Sequence, residues 1–238
     1  MSGPGPFGVR ERGDEPPARG DAPGPPPAKP PPRRSTVSWI VGVAVVFAIA
    51  YITLNTLRTD APGSRGLDPG DRLPPFAAPL ALSKLDGDAN LATKPDQGGQ
   101  GKRPACQVRG ADILNSCELA ERGPVVLAFV VTGVGECAGQ VDVMDRVARQ
   151  VPGVAFAAVA EKEDRDDLRE RVRTRGWTVP VGYDHDGIVG NLYGFGAVCP
   201  LLVFADARGR VVATHVGALD EAELTARARA LAAGRPPS

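Results

Sequence analysis

Residues 124–160, PVVLAFVVTGVGECAGQVDVMDRVARQVPGVAFAAVA, hold the pattern that decides the fold. Residues 125–131, VVLAFVV, are an unbroken apolar run rich in β-branched side chains, which suits a central strand buried on both faces. From 138 to 150 the apolar positions Val141, Met144, Val147 and Ala148 recur at helical spacing, and Pro152-Gly153 marks the stop. Residues 154–160, VAFAAVA, make a second buried strand. A strand, a crossover helix and a strand imply a parallel pair within an α/β sheet.

The alternation continues downstream. Residues 164–175 read as a charged helix with Leu168 and Val172 facing inward and Gly176 as its C-terminal cap, the charges of 161–175 forming its solvated face. Trp177 reads as a core anchor. Residues 179–183 are a short strand ending in Asp184-His185-Asp186-Gly187, and 188–193 make a short helix. Residues 201–205 and 210–216 are strands joined by the polar turn Asp206-Ala207-Arg208-Gly209, a hairpin. A last helix covers 220–232, with Leu224 and Leu231 on one face and Arg227 and Arg229 toward the end where they complement the dipole. Residues 234–238 fray.

Upstream the composition changes. The chain has 238 residues, with 24 prolines and 29 glycines, more than the roughly 5% and 7% of average chains. Much of that excess lies in residues 1–34, a Pro-rich stretch with almost no large apolar side chains, predicted to be a disordered cytoplasmic tail of partly polyproline II character. Residues 35–57 carry no charge and are long enough to cross a hydrocarbon core of ~30 Å as a helix. Trp39 and Tyr51 lie toward the two ends, and the basic residues are heavier before the span than just after it, so the N-terminus is expected inside. A cleaved signal peptide is the competing reading. The run is long for an h-region and no A-x-A-like site follows it, which favours an uncleaved signal anchor in the cytoplasmic membrane. Residues 58–69 then read as a flexible linker, residues 70–233 as one extracytoplasmic domain, and residues 86–104 as a glycine-rich surface loop within it.

Lys and Arg number 28, as do Asp and Glu. With no net charge there is no global basic field to attract nucleic acid, and none is expected as a partner. All four cysteines, Cys106, Cys117, Cys137 and Cys199, fall outside the cytosol on this reading, where disulfides are permitted. Their spacings match no zinc site and no haem-attachment motif, so neither metal nor cofactor is expected. Cys106 and Cys117 flank a short loop, and a bridge between them reads as a structural staple adding about 2–3 kcal/mol; a second redox pair and the other connectivities stay open. His185 in a turn and His215 in a strand have no nucleophile partner by spacing. The 184–187 turn lacks the downstream glutamate of an EF-hand loop.

Together these landmarks resemble the thioredoxin-like superfamily, in particular membrane-anchored redoxins of the TlpA and ResA type and the related alkyl hydroperoxide reductase group. Gly70-Asp71-Arg72-Leu73-Pro74-Pro75-Phe76 resembles their G-x-x-x-P-x-F opening, and residues 123–129 the strand before the redox motif. Residues 177–181 and 184–187 resemble the lead into the second half. Tyr193-Gly194 and then Cys199-Pro200 resemble the approach to the cis-proline, and residues 201–216 the closing hairpin. The resemblance implies a thioredoxin-like α/β fold, a central mixed sheet flanked by helices, after one N-terminal transmembrane helix.

It also exposes a departure. The family's Cys-x-x-Cys falls on Val134-Gly135-Glu136-Cys137, so the first cysteine is missing and Cys137 matches the second, resolving one. A peroxidatic role for Cys137 lacks the P-x-x-x-T-x-x-C pattern, although Thr132 lies nearby. In the family's fold the cis-proline loop packs on the first turn of the redox helix, which implies that Cys199 and Cys137 are neighbours. Beside a thiol peroxidase, two readings follow. Cys137, Cys199 and Pro200 form a relocated redox site that exchanges with exported protein thiols or disulfides, or with a membrane electron donor; alternatively, the pair is an inert staple in a binding module. Either cysteine could attack, since the helix N-terminus favours a thiolate at Cys137 while Glu136 opposes it and Cys199 is expected to be more exposed.

Overall fold

The structure is a computed structural model that describes residues 36–58, 66–196 and 198–237. The chain divides into two units, Met1–Leu54 and Asn55–Ser238. Helix α1 spans Thr36–Arg58, one residue on from the predicted segment 35–57. Among the described residues no helix is long and apolar enough to cross a membrane. The tail 1–34 and linker residues 59–65 lie outside the described residues.

In the second unit the elements run β1 (Ala77–Pro79), β2 (Ile113–Asn115), α2 (Ser116–Arg122), β3 (Val125–Val130), α3 (Gly135–Gln150), β4 (Ala155–Glu161), α4 (Arg165–Arg175), β5 (Val181–Asp184), α5 (Ile188–Leu192), β6 (Leu201–Ala205), β7 (Val211–Val216) and α6 (Glu221–Ala232). The main sheet has the order β5-β4-β3-β6-β7. Strands β3, β4 and β5 are parallel, while β6 runs antiparallel to β3, and β7 to β6. The predicted parallel pair, the hairpin and the central place of residues 125–130 are all present.

Strand periodicity explains why β3 is apolar throughout. Val126, Ala128 and Val130 face a layer holding Val141, Met144 and Val147 of α3 and Leu224, Ala228 and Leu231 of α6. Val125, Leu127 and Phe129 face the opposite layer, with Phe76, Leu119 and Tyr193. Tyr193 is fully buried between Phe76 and Phe129, ring centroids 5.7 and 4.7 Å away. Its hydroxyl donates to the Pro74 carbonyl at 2.7 Å, and burial pushes its pKa up.

Helix ends follow their capping residues. Asp164 accepts from the N–H groups of Asp166 and Asp167, and Gly176 closes α4 in the left-handed conformation. Asp220 and Glu223 form a capping box on α6. Asp164 and Asp220 each lie one residue outside the helices that the sequence pattern assigns them to.

Three expectations change. Residues 105–122, read only as a loop-rich stapled region, contain β2 and α2; Asn115 caps α2 by accepting from Cys117 and Glu118 N–H, while its Nδ2 donates to the carbonyls of Ala105 and Val108. The apolar run there is too short to show a period. The domain also begins before residue 70, because Leu67 packs on the layer of Phe76 and its carbonyl accepts from Thr214 Oγ1 at 2.7 Å. At the other end the chain does not simply fray, since Arg235 N–H returns to Ala230 O and Pro237 is buried. In β5, Gly182 packs closely on β2, as a Cβ there would stand 2.8 Å from Leu114 Cδ2 and displace that side chain.

Asp145 of α3 is a buried acid that ties this helix to the segment before β5. Burial alone would raise its pKa, but hydrogen bonds from the Thr178 hydroxyl and N–H, from Arg149 and from Val179 N–H outweigh it and hold the group at about 2, below the ordinary 3.8. A depressed folded-state pKa contributes stability above the ordinary value that is lost as pH falls through the folded one, here between about pH 4 and 2. Denaturant titrations of Asp145→Asn should show a loss of about 2 kcal/mol at pH 7 and a flatter decline across that acid window.

Candidate active site

The site lies where β3 ends. Its last described neighbours in register are Ala160 of β4 on one side and, through Phe129, Leu201 of β6 on the other. The chain leaves β3 at Val131 and enters α3 at Gly135, with Val134 as an N-cap that supplies no side-chain bond. On the other side, the chain comes into β6 through a cis Cys199–Pro200 peptide. The two approaches converge.

Cys137 and Cys199 form a disulfide, with Cα atoms 5.6 Å apart, inside the 4.4–6.8 Å range such a bond needs. Cys137 points into the layer under α3 and is 1% exposed, whereas Cys199 is only partly buried. The Val131 N–H donates to Cys199 Sγ at 3.3 Å. Val134, where the resemblance places the missing cysteine, is 52% exposed, and Val198 beside Cys199 is 49% exposed. Two apolar side chains thus stand open near the more accessible sulfur.

The loop between β3 and α3 is held by a residue that sequence reading passed over. Glu163, from the β4–α4 connection, accepts from the N–H of Gly133 at 3.1 Å and from the N–H and hydroxyl of Thr132. Arg171 completes the cluster, donating to the Thr132 hydroxyl at 2.5 Å and pairing with Glu163 at 3.4 Å. A carboxylate taking backbone N–H groups from a loop stiffens it at the point where α3 starts. Glu163 sat in a charge-rich stretch whose pattern carried only a helix signal. Thr132 is buried with its hydroxyl engaged by Glu163 and Arg171, which leaves it unlike a threonine presented to a peroxide.

Other candidates fall outside this site. Cys106 and Cys117 are bonded to each other, Cα atoms 5.4 Å apart, at the start of α2. His185 Nδ1 meets the Tyr183 hydroxyl at 2.9 Å, and His215 lies in β7 with its pKa lowered by burial and then by Arg227; neither is hydrogen-bonded to a cysteine among the described residues. Trp177 is 7% exposed and donates to Asp142 at 2.6 Å, a core position as expected. Among the described residues no group of three or more His, Cys, Asp or Glu could hold a metal.

No protein-family model and no curated protein matches the chain. Solved structures do. A thiol:disulfide interchange protein of the thioredoxin family from Chlorobium tepidum is 17% identical, with 70% of this chain and 98% of that one covered and a TM-score of 0.51. A hypothetical protein from Sinorhizobium meliloti is 16% identical over 74% and 90% of the two chains, with a TM-score of 0.55. An uncharacterized conserved protein from Geobacillus kaustophilus is 18% identical over 72% and 85%, with a TM-score of 0.54. At these identities the likeness shows the fold, which is thioredoxin-like.

Peptide mapping of the protein digested without reductant should recover two linked pairs, Cys106 with Cys117 and Cys137 with Cys199. Replacing Cys106 and Cys117 together by Ser should lower unfolding stability by about 3 kcal/mol and leave the Cys137–Cys199 link in place.

Proposed function

We propose that the chain is a membrane-tethered thiol-disulfide oxidoreductase acting on exported protein thiols and disulfides through Cys137 and Cys199. The observation that carries this reading is the bond itself, a disulfide with one cysteine buried in the core and the other only partly buried beside Pro200. A structural staple works as well with both sulfurs enclosed. The partial exposure of Cys199, with the apolar Val134 and Val198 open on the flanking segments, supports a bond that another polypeptide can reach. The fold neighbour described as a thiol:disulfide interchange protein agrees with this chemistry.

The exposure difference supports a division of roles. Cys199 Sγ is the sulfur exchanged with substrate, and Cys137 is the partner that leaves and returns. A substrate thiolate attacks Cys199 Sγ, the protein disulfide breaks, and its electron pair departs on Cys137 Sγ. A second substrate thiolate then attacks the substrate sulfur bound to Cys199, closing the substrate disulfide and releasing Cys199 as a thiolate. Two electrons pass from substrate to protein, and the two protons lost by the substrate thiols are regained by the protein thiols through solvent. Run backwards, the same steps reduce a substrate disulfide. The Val131 N–H stands ready to hydrogen-bond sulfur at Cys199 and favours its thiolate when the bond opens.

Anchoring rests on sequence. Residues 35–57 carry no charge, and α1 covers nearly the same stretch. The anchor would hold the thioredoxin-like domain on the extracytoplasmic side, with the N-terminus inside.

In a graded glutathione or dithiothreitol buffer, the Cys137–Cys199 bond should titrate between about −270 and −120 mV, the range of dithiol catalysts. Presented with a disulfide-bonded peptide, Cys137→Ser should accumulate a mixed disulfide through Cys199, whose thiolate attacks the peptide disulfide and has no partner to resolve it, and Cys199→Ser should accumulate none. Resistance to reduction below about −300 mV would instead mark the pair as a staple in a binding module.

A further inference from the structure

Beyond the disulfide, the same end of the sheet holds a cavity of about 340 Å³ whose walls include Val131, Glu161, Lys162, Gly190, Asn191 and Phe195. We infer that this cavity is a substrate subsite, in which Glu161 accepts a hydrogen bond from a backbone amide of the polypeptide whose cysteine meets Cys199. The inference rests on the exchange reading above.

Register places the two features side by side. Val130 pairs with Ala160, and Phe129 with Leu201. One step beyond β3, Val131 therefore stands between Glu161, at the end of β4, and Cys199, whose Sγ its N–H reaches. Neighbouring strands are about 4.8 Å apart, so the backbones of Glu161 and Cys199 are separated by about 10 Å, the span of roughly three extended residues. A bound peptide with its cysteine at Cys199 reaches the cavity with the residues two and three positions away.

Glu161 is an unusual wall for a cavity. It is 2% exposed, and its register partner is Asp184, which is fully buried. The Asp184 carboxylate is occupied by the N–H groups of Ile188, Val189 and Gly190 at 3.1, 2.8 and 3.1 Å. Two carboxyls so placed share a proton. Glu161 keeps it, because burial and then the Asp184 charge push its pKa up to about 10, with Lys162 opposing and Asp88 adding to the shift. The shared proton serves the pair, yet Glu161 Oε1 is buried with no hydrogen-bond partner among the described residues. An unfilled buried acceptor is costly and is satisfied by an incoming donor.

The surroundings select that donor. The neutral acid and the ammonium of Lys162 at the wall disfavour a second cation. An amide N–H brings no charge. Gly190 leaves room against the carboxyl, since a Cβ there would lie 2.4 Å from Glu161 Oε2.

The test compares two dithiol peptides as reductants of the full-length oxidised protein, one with ordinary amides and one N-methylated two and three residues from its first cysteine, on either side. The wild-type protein should show a KM about tenfold higher for the methylated peptide, the loss of one buried hydrogen bond. Glu161→Leu should treat the two peptides alike, and Glu161→Gln, which keeps a carbonyl acceptor, should restore the discrimination. Equal KM values in the wild type overturn the subsite even if the Leu variant does not fold, as does discrimination that persists in Glu161→Leu. A wild-type protein inert toward both peptides and toward dithiothreitol overturns the exchange reading, and the subsite with it.

Discussion

Burial of β3 on both faces is the constraint from which the rest of this domain follows. Six consecutive side chains, Val125 to Val130, are fully withdrawn from water, so the strand cannot slide or rotate without exposing one layer or the other. Its C-terminal end is fixed as a result. Three consequences meet there: the start of α3 with Cys137, the approach of Cys199 from the β6 side, and the Glu161 wall on the β4 side. The backbone of Val131 touches the second directly and borders the third. Glu163 then keeps the turn out of β3 from wandering by occupying the N–H groups of Thr132 and Gly133.

Where the resemblance places a first cysteine this chain has Val134, and its disulfide joins α3 to the loop before β6. With Val134 at the head of α3, the helix no longer presents a sulfur to solvent, and the one sulfur it does carry is enclosed. The partner at 199 takes the outward position. The loop before β6 carries the more exposed sulfur, while the helix carries the buried one.

Much of the fold could be read from residue patterns because its signals are local and repeated. The apolar runs at 125–131 and 154–160, the helical spacing of Val141, Met144 and Val147, and the Asp206-Ala207-Arg208-Gly209 turn each carry their period or turn chemistry within a few residues. The β1–β2 pair and α2 do not. Three-residue strands show no period, and α2 depends on Asn115, whose role is visible only when Ala105 and Val108 come within reach of its amide. At the site, the Cys137–Cys199 pairing was legible through the resemblance, since nothing local links residues so far apart. Glu161, Glu163 and Asp145 were not legible. Each lies in a charged or amphipathic stretch, and what distinguishes them is burial against partners contributed by distant segments.

The two bonded cysteines enclose 62 residues of sequence separation. By the chain-entropy relation, closing a loop of that size restricts the unfolded chain by about 4 kcal/mol, whereas a ring made by adjacent Cys-x-x-Cys sulfurs restricts it by only about 1.5. Oxidation here therefore reaches well beyond the sulfur pair, because the enclosed span contains β4, α4, β5 and α5. The linkage works in both directions. Folding makes the bond harder to reduce than it is in the loose chain, by about 90 mV, and reducing it releases a tether on the segment that carries β4 and β5. In this domain the redox state and the resistance to unfolding are one coupled variable.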